Sequence, residues 1–135
     1  MSEFIYTDEE PIDADQFLAV LNGSGLAERR PVDDRARIAS MVLNADIMMT
    51  AWSGDTLVGV ARSVTDFAYC CYLSDLCVLK EYAGRGVGRA LIDHTASRLA
   101  PDCSLILLSA PQAVDYYPKQ GFAPHASAWV KRAGG

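Results

Sequence analysis

Apolar and polar positions along this chain fall into short blocks whose periods change from two to about 3.6 and back. Phe4 to Thr7 is a β-prone run followed by acidic residues. Asp13 or Asp15 can then cap a helix over Gln16 to Leu21 that closes at Asn22-Gly23. Beyond Pro31, the spacing of Ile38, Met41 and Val42 predicts a second helix over Arg35 to Leu43, ended by Asn44-Ala45-Asp46. Ile47 to Trp52 and Leu57 to Val64 flank Ser53-Gly54-Asp55, which reads as a hairpin. Tyr69 to Leu79 continues that antiparallel meander and is apolar enough to lie inside the sheet. A helix to about Leu99 follows, with Val87, Leu91, Ile92, Thr95, Ala96 and Leu99 as its buried stripe and Pro101 as its stop. Leu105 to Ser109 reads as a short buried strand, Ala113 to Gln120 as a short helix closed by Gly121, and Phe122 to Val130 as a last strand or strands. The order is β-α-α-β-β-β-α-β-α-β, with no internal repeat, low-complexity tract or linker.

The junction between the Tyr69–Leu79 strand and the next helix carries the clearest chemistry. Gly84, Gly86 and Gly88 stand at alternate positions, with Arg85 between the first two and Arg89 after the third. Glycines there let main-chain N–H groups approach a ligand, and a helix N-terminus behind them adds the positive end of a dipole. Such a loop suits a pyrophosphate. A dinucleotide fingerprint G-x-G-x-x-G fails, because its last position falls on Arg89 or Leu91. A P-loop fails too, because Arg89-Ala90 stand where Lys-Ser/Thr would follow the last glycine.

Composition narrows the classes further. At 135 residues, 50% hydrophobic and 21% charged, the chain is expected to form one domain, residues 1–135. No apolar run approaches the ~20 residues of a membrane span. Glu3, Asp8, Glu9 and Glu10 do not make the basic start of a signal peptide, so a cytoplasmic location is expected. Cys70, Cys71, Cys77 and Cys103 lack C-x-x-C or zinc-ligand spacing and sit in apolar runs, which predicts packing for all four and no metal. The net charge of −5 argues against a nucleic-acid partner. Residues 1–60 hold 11 acidic and 4 basic side chains, whereas residues 61–135 hold 6 and 8. The second half therefore suits an anionic cofactor. The first half would favour a cationic amine arriving from solvent, or it carries ordinary solubilising charge.

The glycine pattern within Asp75 to Ile92 resembles motif A of the GCN5-related N-acetyltransferases (GNAT), Q/R-x-x-G-x-G/A, with Gly86 and Gly88 on its two small positions. Ala83 stands where that family usually has Gln or Arg, so a contact from that side chain is missing. Ala113-Val114-Asp115-Tyr116-Tyr117-Pro118-Lys119-Gln120-Gly121-Phe122 resembles the family's A-x-x-F-Y-x-K-x-G-F segment. The element order is similar over essentially the whole chain, and most similar to small bacterial members and the plant chloroplast arylalkylamine N-acetyltransferase-like branch. The resemblance implies an α+β (α/β/α) fold whose mixed, mostly antiparallel sheet has splayed central strands. It implies acetyl transfer from acetyl-CoA to a primary amine by direct attack in a ternary complex.

Site residues follow from the same resemblance. Main-chain N–H groups from Ala83, Gly84, Arg85, Gly86, Val87, Gly88 and Arg89 would take the pyrophosphate, with the two arginines adding charge. Leu76, Cys77 and Val78 would pair with the pantetheine amides, an N–H near Cys77 serving the developing oxyanion. Tyr117 matches the general-acid tyrosine, in contact with the cofactor, and Tyr116 takes a packing position. Asp75 is a candidate base acting through water, or equally a group that ties the loop down; Tyr72 and Ser74 share the other face of its strand. His125 borders the expected acceptor side and His94 reads as surface. For the acceptor, Arg29-Arg30-Pro31 and the second helix are candidates by location, and Trp52, Tyr69, Tyr72 and Trp129 could line a pocket. Two other readings remain at this point: a non-catalytic acyl-CoA sensor, which Ala83 favours, and a protein lysine or N-terminal acetyltransferase. An exposed sheet edge would permit a homodimer.

Overall fold

The computed structural model describes residues 3–135. Five strands form one sheet in sequence order: β1 (Ile5–Thr7), β2 (Ile47–Ser53), β3 (Thr56–Thr65), β4 (Cys70–Val78) and β5 (Ser104–Ile106). The first four pair antiparallel, and β5 pairs parallel to β4. Helices α1 (Ala14–Ser24) and α2 (Arg35–Leu43) cover one face, where Phe17, Val20, Leu21 and Ile38 pack on Val60 and Cys77. Helix α3 (Val87–Ala96) covers the other, with Val87, Leu91 and Ile92 against Met49, Ala61 and Leu73. Fully burying a side chain such as Phe17 or Leu91 contributes about 1.5–3 kcal/mol, so the two helical layers hold the sheet from both sides. This is the expected α+β arrangement.

Local chemistry explains where the helices begin. Asp13 caps α1 by accepting the Gln16 N–H at 2.8 Å, while Gln16 Oε1 accepts the Asp13 N–H at 2.9 Å. Asp34 caps α2 by accepting the Arg37 N–H. Helix α1 runs past Asn22-Gly23 and stops at Gly25, whose φ of 89° is left-handed. Gly23 sits inside the helix because Leu79 lies over it: a Cβ there would be 2.4 Å from Leu79 Cδ2.

The feature that shapes the site is a bulge in β4. Arg62 pairs with Asp75 but Ser63 pairs with Leu73, leaving Ser74 as the extra residue. A bulge re-aims the side chains beyond it and bends the strand. Leu73 thus packs toward α3, while Cys77 faces α1 and α2. Strand β5 pairs with β4 only at Cys70, Cys71 and Tyr72, before the bulge. From Leu73 to Val78 the outer edge of β4 has no strand beside it among the described residues, so the two strands part as the resemblance implied.

The C-terminal third departs from expectation. Residues 111–120 form two 3₁₀ turns, Pro111–Ala113 and Tyr117–Gln120, rather than an α-helix. Pro111 and Pro118 each remove an N–H that a longer helix would need. Phe122 to Val130 forms no strand: Pro124 interrupts it, and β5 is only three residues long, a short template for another partner. Trp129 is consequently 91% exposed. Helix α3 ends at Ala96, with Arg98 and Leu99 continuing in i→i+3 turns. Cys70 is exposed rather than packed, while Cys71 and Cys77 are buried and all four cysteines are free. Among the described residues no helix is long and apolar enough to cross a membrane.

Packing between α3 and the Tyr116 ring generates a specific expectation. A Cβ on Gly88 would lie 2.5 Å from Tyr116 Oη but 3.5 Å from Cζ, so the hydroxyl alone makes the clash. Gly88→Ala should destabilise by about 1–3 kcal/mol through overpacking, and adding Tyr116→Phe should recover most of that loss. Thermal denaturation of the two single variants and the double variant reads this; a loss undiminished in the double variant would contradict it.

Candidate active site

Two features meet at the parted end of the sheet: a loop rich in unused amide donors and a polar-walled cavity of about 960 Å³. The loop links β4 to α3. Gly84 and Gly86 have φ values of 79° and 81°, a left-handed geometry that L side chains rarely adopt, and no atom lies within 4 Å of where a Cβ would point. Gly86 is also the residue that caps α3, and having no side chain it leaves the helix uncapped, unlike the Asp-capped α1 and α2. The first bond closing α3 is Ala90 N–H to Gly86 C=O. Amides from Gly84 to Arg89 have no hydrogen-bond partner among the described residues. A helix start with free donors in an open loop attracts an anion.

Some residues expected there are engaged elsewhere. The Ala83 N–H already donates to Lys80 C=O at 3.2 Å, so the free donors begin at Gly84. Arg85 turns to Glu3, at 2.9 Å, and lies over the Tyr82 ring. Arg89 sits 4.0 Å from Asp93. Both ion pairs are half-exposed or more, and such pairs are worth about 0–1 kcal/mol, so either arginine can exchange its partner for a stronger anion.

The cavity lies on the α1–α2 side of the parting, between the turn at Leu26–Arg29, the open edge of β4 and the 3₁₀ turns beyond β5. The Leu79 N–H donates to Val58 C=O at 2.8 Å, which continues the β3–β4 ladder one residue past β4. Because successive residues of a strand direct their main-chain groups to opposite edges, Asp75 and Cys77 bond toward β3. Ser74, Leu76 and Val78 present theirs to the cavity. The free N–H groups on this edge are thus those of Leu76 and Val78, on either side of the Cys77 position singled out from sequence. Cys77 itself is buried and its thiol is pushed up to about 12, first by burial and then by Asp75, which removes it as a nucleophile at neutral pH.

Asp75 is fully buried and bonds two guanidiniums, Oδ1 to Arg30 Nε and Oδ2 to Arg62 Nε. Arg30 also donates to Ser74 C=O at 2.7 Å and to Arg29 C=O at 2.8 Å, while Arg62 donates to Ser74 Oγ at 2.9 Å. Arg62 was missed from sequence, since an arginine in an apolar strand carries no spacing that marks it. Arg30 was noted only by location. The bulge brings them together: it places Asp75 opposite Arg62 on the face that Arg30 reaches.

Tyr117 lines the cavity, with its ring edge-on to Tyr116 at 5.2 Å and to Phe122 at 5.5 Å. Burial, and then the neighbouring Tyr116, raise its phenol above the ordinary value of 10, while Arg30 pulls the other way. Its hydroxyl has no hydrogen-bond partner among the described residues. Of the four aromatic candidates for the pocket only Tyr72 lines it; Trp52 donates to Thr50 Oγ1, and Tyr69 and Trp129 are exposed. His94 stacks on Tyr6, and His125 is an exposed residue that accepts the Ser127 N–H, away from the cavity wall. Among the described residues no group of three or more His, Cys, Asp or Glu is placed to hold a metal ion.

Known proteins bear on this geometry. The family model described as an acetyltransferase (GNAT) domain matches residues 27–134. The chain is 38% identical over 68 residues, 49% of its length, to the GCN5-related N-acetyltransferase 2, chloroplastic, of Arabidopsis thaliana, and the match spans only 26% of that relative. A protein of unknown function from meticillin-resistant Staphylococcus aureus superposes with a TM-score of 0.76 at 20% identity, covering 96% of this chain and 99% of that one. A PaiA N-acetyltransferase of Thermoplasma acidophilum, in complex with coenzyme A, superposes with a TM-score of 0.70 at 15% identity, covering 95% and 94%. At such identities the structural likeness speaks for the fold, and the family match covers most of the sequence. Uncapped loop, parted sheet and family match agree: this chain belongs to the GNAT acetyltransferase family.

Proposed function

We propose that this chain is an acetyl-CoA-dependent N-acetyltransferase that modifies a small primary amine by direct attack in a ternary complex. One observation carries the reading: the free amides of residues 84–89 and the Tyr117 hydroxyl lie at the same parted region of the sheet, joined by the open edge of β4. The left-handed glycines and uncapped helix fit a pyrophosphate, and the open edge fits a chain of amides, and coenzyme A carries both. When bound, acetyl-CoA supplies an activated thioester carbonyl. Amides from Gly84 to Arg89 would hold the pyrophosphate; Leu76 and Val78 would orient the pantetheine arm and polarise the carbonyl.

Tyr117 then has the protonation state that a departing thiolate needs. Its raised pKa keeps the proton on oxygen through neutral and mildly alkaline pH. Asp75 takes a different part from the base considered on sequence grounds. With each oxygen bonded to a guanidinium, it positions Arg30 and Arg62 and pins the turn after α1 to the sheet. Glu28, the only carboxylate on the cavity wall among the described residues, is left to receive the amine proton through water.

Incubation with acetyl-CoA and a panel of amines, with release of free thiol recorded, separates this enzyme from a non-catalytic sensor. Amine-dependent thiol release supports the proposal, whereas stabilisation by coenzyme A with no release would favour the sensor. Tyr117→Phe should leave coenzyme A affinity unchanged and lower kcat by about 10²-fold; unchanged turnover would remove Tyr117 from the chemistry. In the unmodified protein, loss of rate from Tyr117 ionisation should set in only above about pH 10, and an alkaline decline centred near pH 8 would contradict its assignment as the acid. Asp75→Asn should cost about 3–5 kcal/mol in stability by leaving buried guanidiniums without their carboxylate, read as a lowered midpoint in urea unfolding.

A further inference from the structure

The wall of the cavity opposes the charge of the chain. Net charge is −5, yet Arg29, Arg30, Arg37, Arg62 and Arg132 line the cavity against Glu28, with Asp75 beneath. Arg30 and Arg62 share Asp75. Arg29, Arg37 and Arg132 have no carboxylate partner among the described residues. They come from three separate segments: the turn Leu26–Arg29, the first turn of α2 and the C-terminal stretch. Carboxylates of the acidic first half do not answer them. Asp13 and Asp34 cap helices, and Asp15 pairs with Arg35. The cavity wall is thus basic although the first half of the chain is acidic.

These guanidiniums are also not accounted for by the cofactor's pyrophosphate. None of the residues 84–89 lines this cavity, so the donors placed for that pyrophosphate lie beside it rather than within it. We propose that the acceptor amine carries an anionic group, a carboxylate or a phosphoryl, held by Arg37 and Arg132, with Arg29 on the same cavity wall. A guanidinium presents a planar fork of donors that matches either anion. The same positive surroundings disfavour an ammonium and so favour the neutral amine that attacks. Spermidine, or an arylalkylamine without an acid group, gains nothing from this wall. This inference rests on the N-acetyltransferase reading and names the acceptor class for it.

The test uses the full chain with acetyl-CoA and four acceptor sets: α-amino acids, their methyl esters, the matching aminoalkylphosphonic acids, and spermidine. Thiol release should show kcat/KM for at least one anionic acceptor about tenfold or more above its ester. The carboxylate and phosphonate sets decide which anion is preferred. Arg37→Gln and Arg132→Gln, both at exposed positions, should raise KM for the anionic acceptor and abolish its advantage over the ester, with KM for acetyl-CoA unchanged. Preference for esters or spermidine, or full selectivity in Arg37→Gln, overturns the proposal. If no acceptor releases thiol, the enzyme reading has failed, and calorimetric titration of glutamate into the protein saturated with coenzyme A decides the anion site alone. Binding that is lost in the double variant Arg37→Gln/Arg132→Gln upholds that site, and absent or unaltered binding rejects it.

Discussion

A single buried carboxylate organises the active region. Asp75 has no contact with solvent and joins two guanidiniums from different parts of the chain, one in β3 and one in the turn after α1. Two charges on one leave the cluster with an excess of one positive charge, and burying it is costly unless each donor finds an acceptor. Ser74 supplies them, through its carbonyl to Arg30 and its hydroxyl to Arg62. The bulge that makes Ser74 the extra residue is thus also the source of the acceptors, so the bend in β4 and the charge cluster support each other. Where the bend begins, β5 ceases to follow, and the open edge results.

From that edge the molecule divides its polar work between main chain and side chains. Toward the β4–α3 loop the donors are amides, held in place by glycine conformations and by the missing helix cap. Toward α1 and α2 they are arginines, held by ion pairs or left unpaired. An amide donor carries only a partial charge and a fixed direction, whereas a guanidinium carries a full charge on a long, mobile stem. The first suits a ligand that never varies. The second suits one that distinguishes members of a family with a common fold.

Much of this was legible in the residues. The meander, the glycine loop and helices α2 and α3 follow from periodicity and from turn chemistry, because local preference and tertiary packing agree there. Agreement fails where a distant contact decides. Gly23 reads as a helix end, but Leu79 covers it and the helix continues to Gly25. Residues 122–130 read as a strand, but three residues of β5 give them little to pair with. Asp75 is similar: its alternation pattern was visible, but the bulge beside it was not, since nothing in Leu73-Ser74-Asp75 distinguishes a bulged strand from a regular one. Arginines in the cavity were the hardest to place. Summing charge over the first sixty residues gave an acidic half, although the surface that half turns inward is basic.

One consequence of the main-chain loop concerns tolerance to change. Nearly any residue offers the same N–H, so the exposed Arg85 and Arg89 could be exchanged with little effect on the donors themselves, provided the path of the backbone survives, whereas Val87 is also held by the core. Gly84 and Gly86 hold that path, at dihedral angles where a side chain is penalised by roughly 1–2 kcal/mol. Mutational sensitivity in this loop should accordingly concentrate at the glycines that set its path and at buried Val87, and fade at the exposed side chains of Arg85 and Arg89.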